Sequence, residues 1–167
     1  MRVLGVDPGT VNLGYGIIEE ENGVVRMIDS GAINASTRLP VEMRLCKLYS
    51  ELNQIIIRYG PDEVAIEEPF MGRNIRSAFA LGKSQAIVVL AAATQRLPIY
   101  YYSPARVKQQ MTSYGQSDKQ QMRKMIEIYL GLSVPLQCPH AVDALAVAIC
   151  HLRHSQYERQ VNKHVSR

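Results

Sequence analysis

The order of hydrophobic patterns along the chain is the feature that most constrains its fold. Three short β-rich runs come first, an amphipathic helical pattern follows, and two more short β-rich runs alternate with a second helical pattern. Strands are expected at residues 2–7, 13–19, 24–33, 64–66 and 99–102. This βββαβαβ order followed by helices predicts an α/β fold, in which a five-stranded mixed sheet is flanked by helices.

Turn residues predict how the strands pair. Asn22-Gly23 separates the second and third runs and is typical of a two-residue β-hairpin turn. Apolar residues then recur at spacings of three and four from Val41 to Tyr59, which predicts a helix stopped by Gly60-Pro61. We expect the first strand at the centre, with the hairpin on one side and the two crossover strands on the other.

The rest of the chain is expected to be mainly helical and to belong to the same domain. Helices are predicted over residues 75–95, 104–111, 117–130 and 139–155. No repeat or linker interrupts the sequence, so we expect one domain over residues 1–155. Residues 156–167 form a basic C-terminal tail, which is expected either to contact nucleic acid or to fray.

Acidic side chains are expected to meet at one edge of the sheet. Asp7 ends the first predicted strand, and Glu67-Glu68 ends the fourth. Parallel neighbouring strands would bring their carboxylates to the same C-terminal edge, where open α/β sheets bind ligands. His140 and Asp143 are three residues apart, so they share one face of the last predicted helix.

The chemistry of this set favours a hard divalent cation. Carboxylates that converge without a basic partner raise one another's pKa, and oxygen ligands suit Mg²⁺ or Mn²⁺. Two such ions, about 3.5–4 Å apart, would favour in-line displacement at a phosphodiester. A single zinc ion is not expected to join His140 to His151, because eleven helical residues span about 16 Å.

Charge is divided unequally between the two halves of the chain. Residues 1–68 carry 6 basic and 11 acidic side chains, whereas residues 69–167 carry 13 basic and 4 acidic ones. No acid occurs between Pro69 and Ser117. A basic surface of this kind is typical of a partner for a polyanion such as nucleic acid, although a solvated face without a partner is the alternative. The basic residues of the acid-free stretch are Arg73, Arg76, Lys83, Arg96, Arg106 and Lys108.

Five segments together closely resemble the RuvC family of bacterial Holliday junction endonucleases. They are Gly5-Val6-Asp7-Pro8-Gly9-Thr10, Gly14-Tyr15-Gly16, Ala65-Ile66-Glu67, Val107-Lys108-Gln109 and His140-Ala141-Val142-Asp143-Ala144-Leu145-Ala146. The resemblance runs to about residue 155. It implies an RNase H-like fold, a homodimer and Mg²⁺-dependent, symmetric nicking of a four-way DNA junction in recombination and repair. The expected ends are 5′-phosphate and 3′-hydroxyl.

The resemblance also implies roles for particular residues. It selects Glu67 over Glu68 and makes Asp7, Glu67, His140 and Asp143 the catalytic, metal-binding set. At His140 many family members have aspartate and others histidine. His140 is therefore expected either to bind metal, for which Mn²⁺ suits an imidazole better than Mg²⁺, or to serve as a general base. Lys119 matches a lysine at the scissile site, and Lys108 matches one that contacts backbone phosphate.

Two segments are expected to contact DNA or a second subunit. The loop Phe70-Met71-Gly72-Arg73-Asn74 matches one that enters the junction in the family, where Phe70 would stack on unpaired bases; a hydrophobic staple for the next helix is the alternative. The helix predicted from Ile75 is apolar on all sides, which indicates core on one side and a second subunit on the other. The resemblance further implies partnership with the branch-migration proteins RuvA and RuvB.

Other features of the sequence bear on cellular location and on competing functions. Three scattered cysteines without a C-x-x-C pair, no long apolar run and no signal peptide indicate a cytoplasmic protein without membrane contact. A sugar- or acetate-kinase-like phosphotransferase shares the Gly-x-Asp-x-Gly-Thr opening, but it is expected to need a second ATPase half. An RNase H-fold nuclease acting on RNA, or a non-catalytic junction-binding protein, stays open as the alternative.

Overall fold

A computed structural model describes residues 1–68, 75–111 and 118–165, with only the backbone described for 75–77, 160 and 162–165. Phe70, Arg73 and Asn74 lie outside the described residues. The strands are β1 (Arg2–Asp7), β2 (Asn12–Glu21), β3 (Val24–Asn34), β4 (Glu63–Glu67) and β5 (Ile99–Tyr102). The helices are α1 (Val41–Tyr59), α2 (Ile75–Thr94), α3 (Pro104–Met111), α4 (Lys119–Tyr129) and α5 (Pro139–Val165).

The five strands form one mixed sheet in the order β3-β2-β1-β4-β5. β1 pairs antiparallel with β2 and parallel with β4, and β5 extends the parallel side. Asn22 and Gly23 both have positive φ, 53° and 81°, as a hairpin turn between β2 and β3 requires. The predicted sheet, with β1 at its centre and the hairpin on one side, is confirmed.

Helices pack on both faces of the sheet. Leu4 and Val6 of β1 lie in one hydrophobic core with α1 and α2, whereas Val3 lies in the other core with α4 and α5. This division follows from the alternation of side chains along a strand. The end of α1 is fixed by Gly60, whose φ of 53° is left-handed and whose amide donates to the Ile56 carbonyl at 2.9 Å.

The last helix is longer than the sequence pattern predicts. A helix ending near Ser155 was expected, but α5 continues to Val165, so the expected boundary between domain and tail falls inside a helix. No glycine or proline follows Pro139 that would end it. Contacts from Ser155 Oγ and Arg159 Nη2 to the sulfur of Met1 attach this extension to the start of β1. None of the described helices has the length and hydrophobicity to cross a membrane.

Candidate active site

The sheet topology brings two carboxylates together. Val6 of β1 pairs in parallel register with Ile66 of β4, so Asp7 and Glu67 end neighbouring strands at the same edge. Adjacent strands lie about 4.8 Å apart, which places the two backbones within reach of one ligand. Both acids are partly covered, because α5 lies across this end of the sheet.

Small residues let α5 lie directly on the sheet. A Cβ built on Gly5 would come within 2.8 Å of the Ala148 nitrogen, and one on Gly14 would come within 2.9 Å of the Cβ of His140. Even an alanine at either position would therefore push the helix away. In the sequence, Gly5 and Gly14 belong to two of the motifs shared with the family. Their positions on paired strands opposite the alanine-rich helix were the signal for this close packing.

The N-terminal part of α5 delivers the other two site residues. His140 Nδ1 lies 3.1 Å from Asp7 Oδ2, and Asp143 follows one helical turn further along. The helix starts at Pro139, a residue suited to a first helical position because its missing N–H is not needed there. The structure therefore brings His140 and Asp143, which the three-residue spacing places on one face of the helix, to the strand-end acids.

The carboxylates of the site interact electrostatically. Burial, followed by the charges of Asp7 and Asp143, raises the pKa of Glu67 to about 7. Burial also raises the pKa of Asp7, and Asp143 adds to that effect, while the hydrogen bond from His140 and the charge of Lys119 oppose it. Three negative charges thus share a half-buried space that disfavours all three being ionised without a cation.

Two lysines flank these acids. Lys119 Nζ lies 3.6 Å from Asp143 Oδ2, with the lysine side chain 82% exposed and the aspartate side chain 21% exposed. The α4 helix that carries Lys119 is started by Asp118, whose side chain accepts from the Gln121 amide at 2.8 Å. Lys108 of α3 lines the same cleft as Glu67, Lys119 and Asp143, which has a volume of about 270 Å³.

The remaining predicted contact residues do not join this cleft within the described structure. Lys83 is exposed on α2, and the side chain of Arg76 lies outside the described ones. The residue after Lys83 is one that the sequence interpretation missed: Ser84 is fully buried, and its hydroxyl donates to the Gly9 carbonyl at 2.9 Å. It ties α2 to the turn that follows Asp7. Ser84 stands between Lys83 and Gln85 in the sequence, so no local pattern marked it as a buried residue.

The fold and the acids at the ends of β1 and β4 define an RNase H-like protein. A family model described as crossover junction endodeoxyribonuclease RuvC matches residues 3–151. The chain belongs to the RuvC family.

Individual relatives agree with this assignment. The crossover junction endodeoxyribonuclease RuvC of Chloroflexus aggregans is 43% identical over 151 residues, which cover 90% of this chain and 92% of that protein. The protein of the same name from Caldicellulosiruptor saccharolyticus is 47% identical, covering 91% of this chain and 92% of its own. The structure of Thermus thermophilus RuvC in complex with Holliday junction substrate superposes with a TM-score of 0.89 at 29% identity, covering 95% and 96% of the two chains. The expected family and RNase H-like fold are confirmed.

Proposed function

We propose that this protein is a structure-selective endonuclease that resolves four-way (Holliday) DNA junctions by symmetric, metal-dependent nicking of two strands in homologous recombination and DNA repair. The observation that carries the proposal is the cluster of Asp7, Glu67 and Asp143 at the sheet edge, in a chain of the RuvC family. Water attacks the phosphorus in line with the leaving 3′ oxygen, so that the products carry 5′-phosphate and 3′-hydroxyl ends.

The donor chemistry of the cluster fits a hard divalent cation. Mutual repulsion raises the pKa values of Asp7 and Glu67, and a bound cation would relieve it. Among the described residues no three acidic, histidine or cysteine side chains already stand in the geometry of a metal site. Asp7, Glu67, Asp143 and His140 would hold two Mg²⁺ ions, with Mn²⁺ as a substitute. The ions would activate water and stabilise the leaving oxygen.

His140 and Lys119 have distinct roles beside the three acids. The contact between His140 Nδ1 and Asp7 orients the imidazole, which then serves as a metal ligand or as a general base. Lys119 carries its charge to within 3.6 Å of Asp143 and is solvent-exposed, so it is able to meet a phosphate that enters the cleft. There it would offset negative charge that develops at the scissile phosphate.

Basic residues around the cleft would bind the DNA backbone. Lys108 lines the cleft beside Glu67, and Lys83 is exposed on α2, outside the cleft. The loop residues Phe70, Arg73 and Asn74, with Arg76 at the start of α2, complete the set on the strength of the resemblance. Backbone contacts of this kind give affinity without reading sequence.

One face of α2 supports a homodimer. Phe79 and Leu90 are 70% and 51% exposed, although the helix packs Val88, Ala91 and Ala92 into the core. An open apolar groove of about 800 Å³ runs along the exposed side, between α2 and Tyr101 of β5. Burying this face against a second copy would give a two-fold assembly with two sites, which suits paired nicks in a nearly symmetric junction.

The cellular setting follows from the family. RuvA and RuvB would supply branch migration, and the protein would act in the cytoplasm. Neither an RNA-directed activity nor a purely binding role is favoured, because the relatives are named as junction endonucleases and the acids are present together at the sheet edge.

Cleavage of synthetic substrates tests the proposal. Purified protein would be mixed with a mobile four-way junction, a duplex and an RNA–DNA hybrid, each with Mg²⁺, Mn²⁺ or EDTA. We expect paired symmetric nicks in the junction alone, which disappear in EDTA and in the Asp7→Asn variant. Cleavage of the hybrid would move the protein to the RNA-directed class, and tight junction binding without nicks in either metal would leave a binding protein.

A further inference from the structure

Hydrogen bonds among Tyr102, His151 and Glu63 join β5, α5 and β4. The Tyr102 hydroxyl lies 2.7 Å from Nδ1 of His151, and Nε2 of His151 lies 2.5 Å from a carboxylate oxygen of Glu63. Tyr102 is 2% exposed and His151 is 1% exposed. Because burying polar groups is costly unless they are paired, an unusual set of this kind calls for a reason.

Both ring nitrogens are satisfied by a single form of the imidazole. A carboxylate only accepts hydrogen bonds, so Nε2 carries the hydrogen and donates to Glu63. Nδ1 then accepts from the Tyr102 hydroxyl. Burial lowers the pKa of His151, in agreement with a neutral ring that bridges two fixed partners.

The two partners of His151 lie near opposite ends of β4, one on that strand and the other on β5. Glu63 is the first residue of this strand, and Glu67 is the last. Tyr102 is the cross-strand neighbour of Glu67, and its carbonyl accepts from the Glu68 amide at 2.8 Å. One imidazole therefore holds the start of β4 directly and the end of β4 through the neighbouring strand.

His151 itself belongs to the helix that carries the other site residues. It follows Asp143 by eight residues, or about 12 Å along α5. The intervening turns are fully buried, so this part of α5 moves as a rigid rod. A displacement of His151 along the sheet would be transmitted to Asp143 and would change its distance from Glu67.

Contacts of Tyr102 also reach α3, the helix that carries Lys108. The Arg106 guanidinium of α3 lies 5.2 Å above the Tyr102 ring and 3.1 Å from Nδ1 of His154. Tyr102 thus contacts α3 and α5 while its backbone pairs with β4. Three of the elements that line the cleft, β4, α3 and α5, therefore contact this tyrosine.

We propose that His151, acting with Tyr102 and Glu63, is a positioning residue for junction cleavage that sets the distance between Asp143 on α5 and Glu67 on β4. This inference rests on the proposed function, because it assigns the pair of carboxylates to a shared metal site. His151 is buried and lies about 12 Å along α5 from Asp143, so it would act through the positions of the carboxylates and not on the substrate itself.

Two variants and one matched control test the inference. Tyr102→Phe removes only the hydroxyl, and His151→Gln removes the bridge. Ile149→Val trims another fully buried side chain of α5 that takes no part in these hydrogen bonds. Mn²⁺ binding to the DNA-free protein would be followed by electron paramagnetic resonance. Nicking of a saturating junction would be measured in a single turnover, alongside the dissociation constant for the junction.

We expect both variants to weaken Mn²⁺ binding about tenfold and to slow nicking about 10–100-fold, with junction affinity unchanged. Ile149→Val should keep the wild-type values at a temperature where it is folded. If His151→Gln fails to fold, Tyr102→Phe alone decides the matter. Wild-type Mn²⁺ affinity and nicking in folded Tyr102→Phe or His151→Gln would overturn the inference.

Failure of the proposed function would look different. Wild-type protein would then not nick junctions, or Asp7→Asn would nick as fast as the wild type. If the wild-type protein binds no Mn²⁺, the positioning role is overturned as well. If it binds Mn²⁺ and nicks junctions while the Tyr102 and His151 variants equal it, only the positioning role is lost.

Discussion

Replacing Gly5 by alanine is expected to lift α5 from the sheet and to misplace the residues that it carries. A methyl group at this position would lie 2.9 Å from the Cβ of Ala148 and closer still to the Ala144 carbonyl oxygen. Carbon atoms are in favourable contact at about 3.5–4.0 Å. The helix would therefore have to retreat by at least about 0.6 Å, and by more at the carbonyl.

The Gly5→Ala substitution is expected to lower the free energy of unfolding, because two opposing effects differ in size. Alanine in place of a strand glycine would by itself stabilise the fold by about 0.5–1 kcal/mol, because glycine loses more conformational freedom on folding. Overpacking of a dense interior costs about 1–3 kcal/mol and sometimes more. We expect Gly5→Ala to lower the free energy of unfolding, and we expect displacement of Asp143 to slow nicking by about 10–100-fold.

Urea denaturation and single-turnover junction cleavage measure the two effects separately. Leu52→Ala is the matched control, because it lies in the core on the other face of the sheet and costs about 2–5 kcal/mol without touching α5. It should stay active wherever it is folded. If Gly5→Ala is as stable and as active as the wild type, then α5 does not depend on the bare backbone beneath it.

Three further predictions concern the acids and α4. Glu67→Gln should stabilise the metal-free protein by about 1–3 kcal/mol at pH 8. The pKa of Glu67 is raised from 4.5 to about 7 in the folded protein, so ionisation of this carboxyl lowers folding stability as the pH rises from 4.5 through 7. In urea melts the gain should vanish below pH 4.5, and a gain that is independent of pH would contradict the prediction. Lys119→Gln should raise the pKa of Glu67 and slow nicking about 10–100-fold, because the charge near Asp143 and Glu67 is lost. Lys124→Gln on the same helix should have neither effect. Equal single-turnover rates for the two variants would remove Lys119 from the mechanism. Asp118→Ala should cost about 0.5–2 kcal/mol in a urea melt by uncapping α4, and Asp118→Asn should restore most of it; no loss in the alanine variant would refute the capping role.

Much of the fold was predictable because its signals are local. The Asn22-Gly23 turn and the strand after Pro98 depend on a few adjacent residues, and the structure has both. The amphipathic pattern gave the bounds of α1, and Gly60 ends this helix as predicted. The predicted end of α5 was wrong, because no glycine or proline follows Pro139 to stop the helix, and Ser155 and Arg159 contact Met1 beyond the predicted end.

The site likewise contains residues that local patterns predict and contacts that they do not. Asp7 and Glu67 could be placed together because parallel strands end at one edge, and His140 with Asp143 because of their helical spacing. The buried contact of Ser84 with Gly9 and the bridge through His151 join residues 75 and 88 positions apart in sequence. No periodicity encodes such pairs, so they emerged only once the strands and helices were packed.

The most direct test of the catalytic assignment compares two acids of the same helix. Asp143→Asn alters the site, whereas Glu158→Gln alters an exposed residue four turns further along α5. Junction binding and Mg²⁺-dependent nicking would be measured for both variants on the same labelled four-way junction. We predict that Asp143→Asn binds the junction but does not nick it, while Glu158→Gln nicks both strands at the wild-type rate. Wild-type nicking by Asp143→Asn would contradict the assignment.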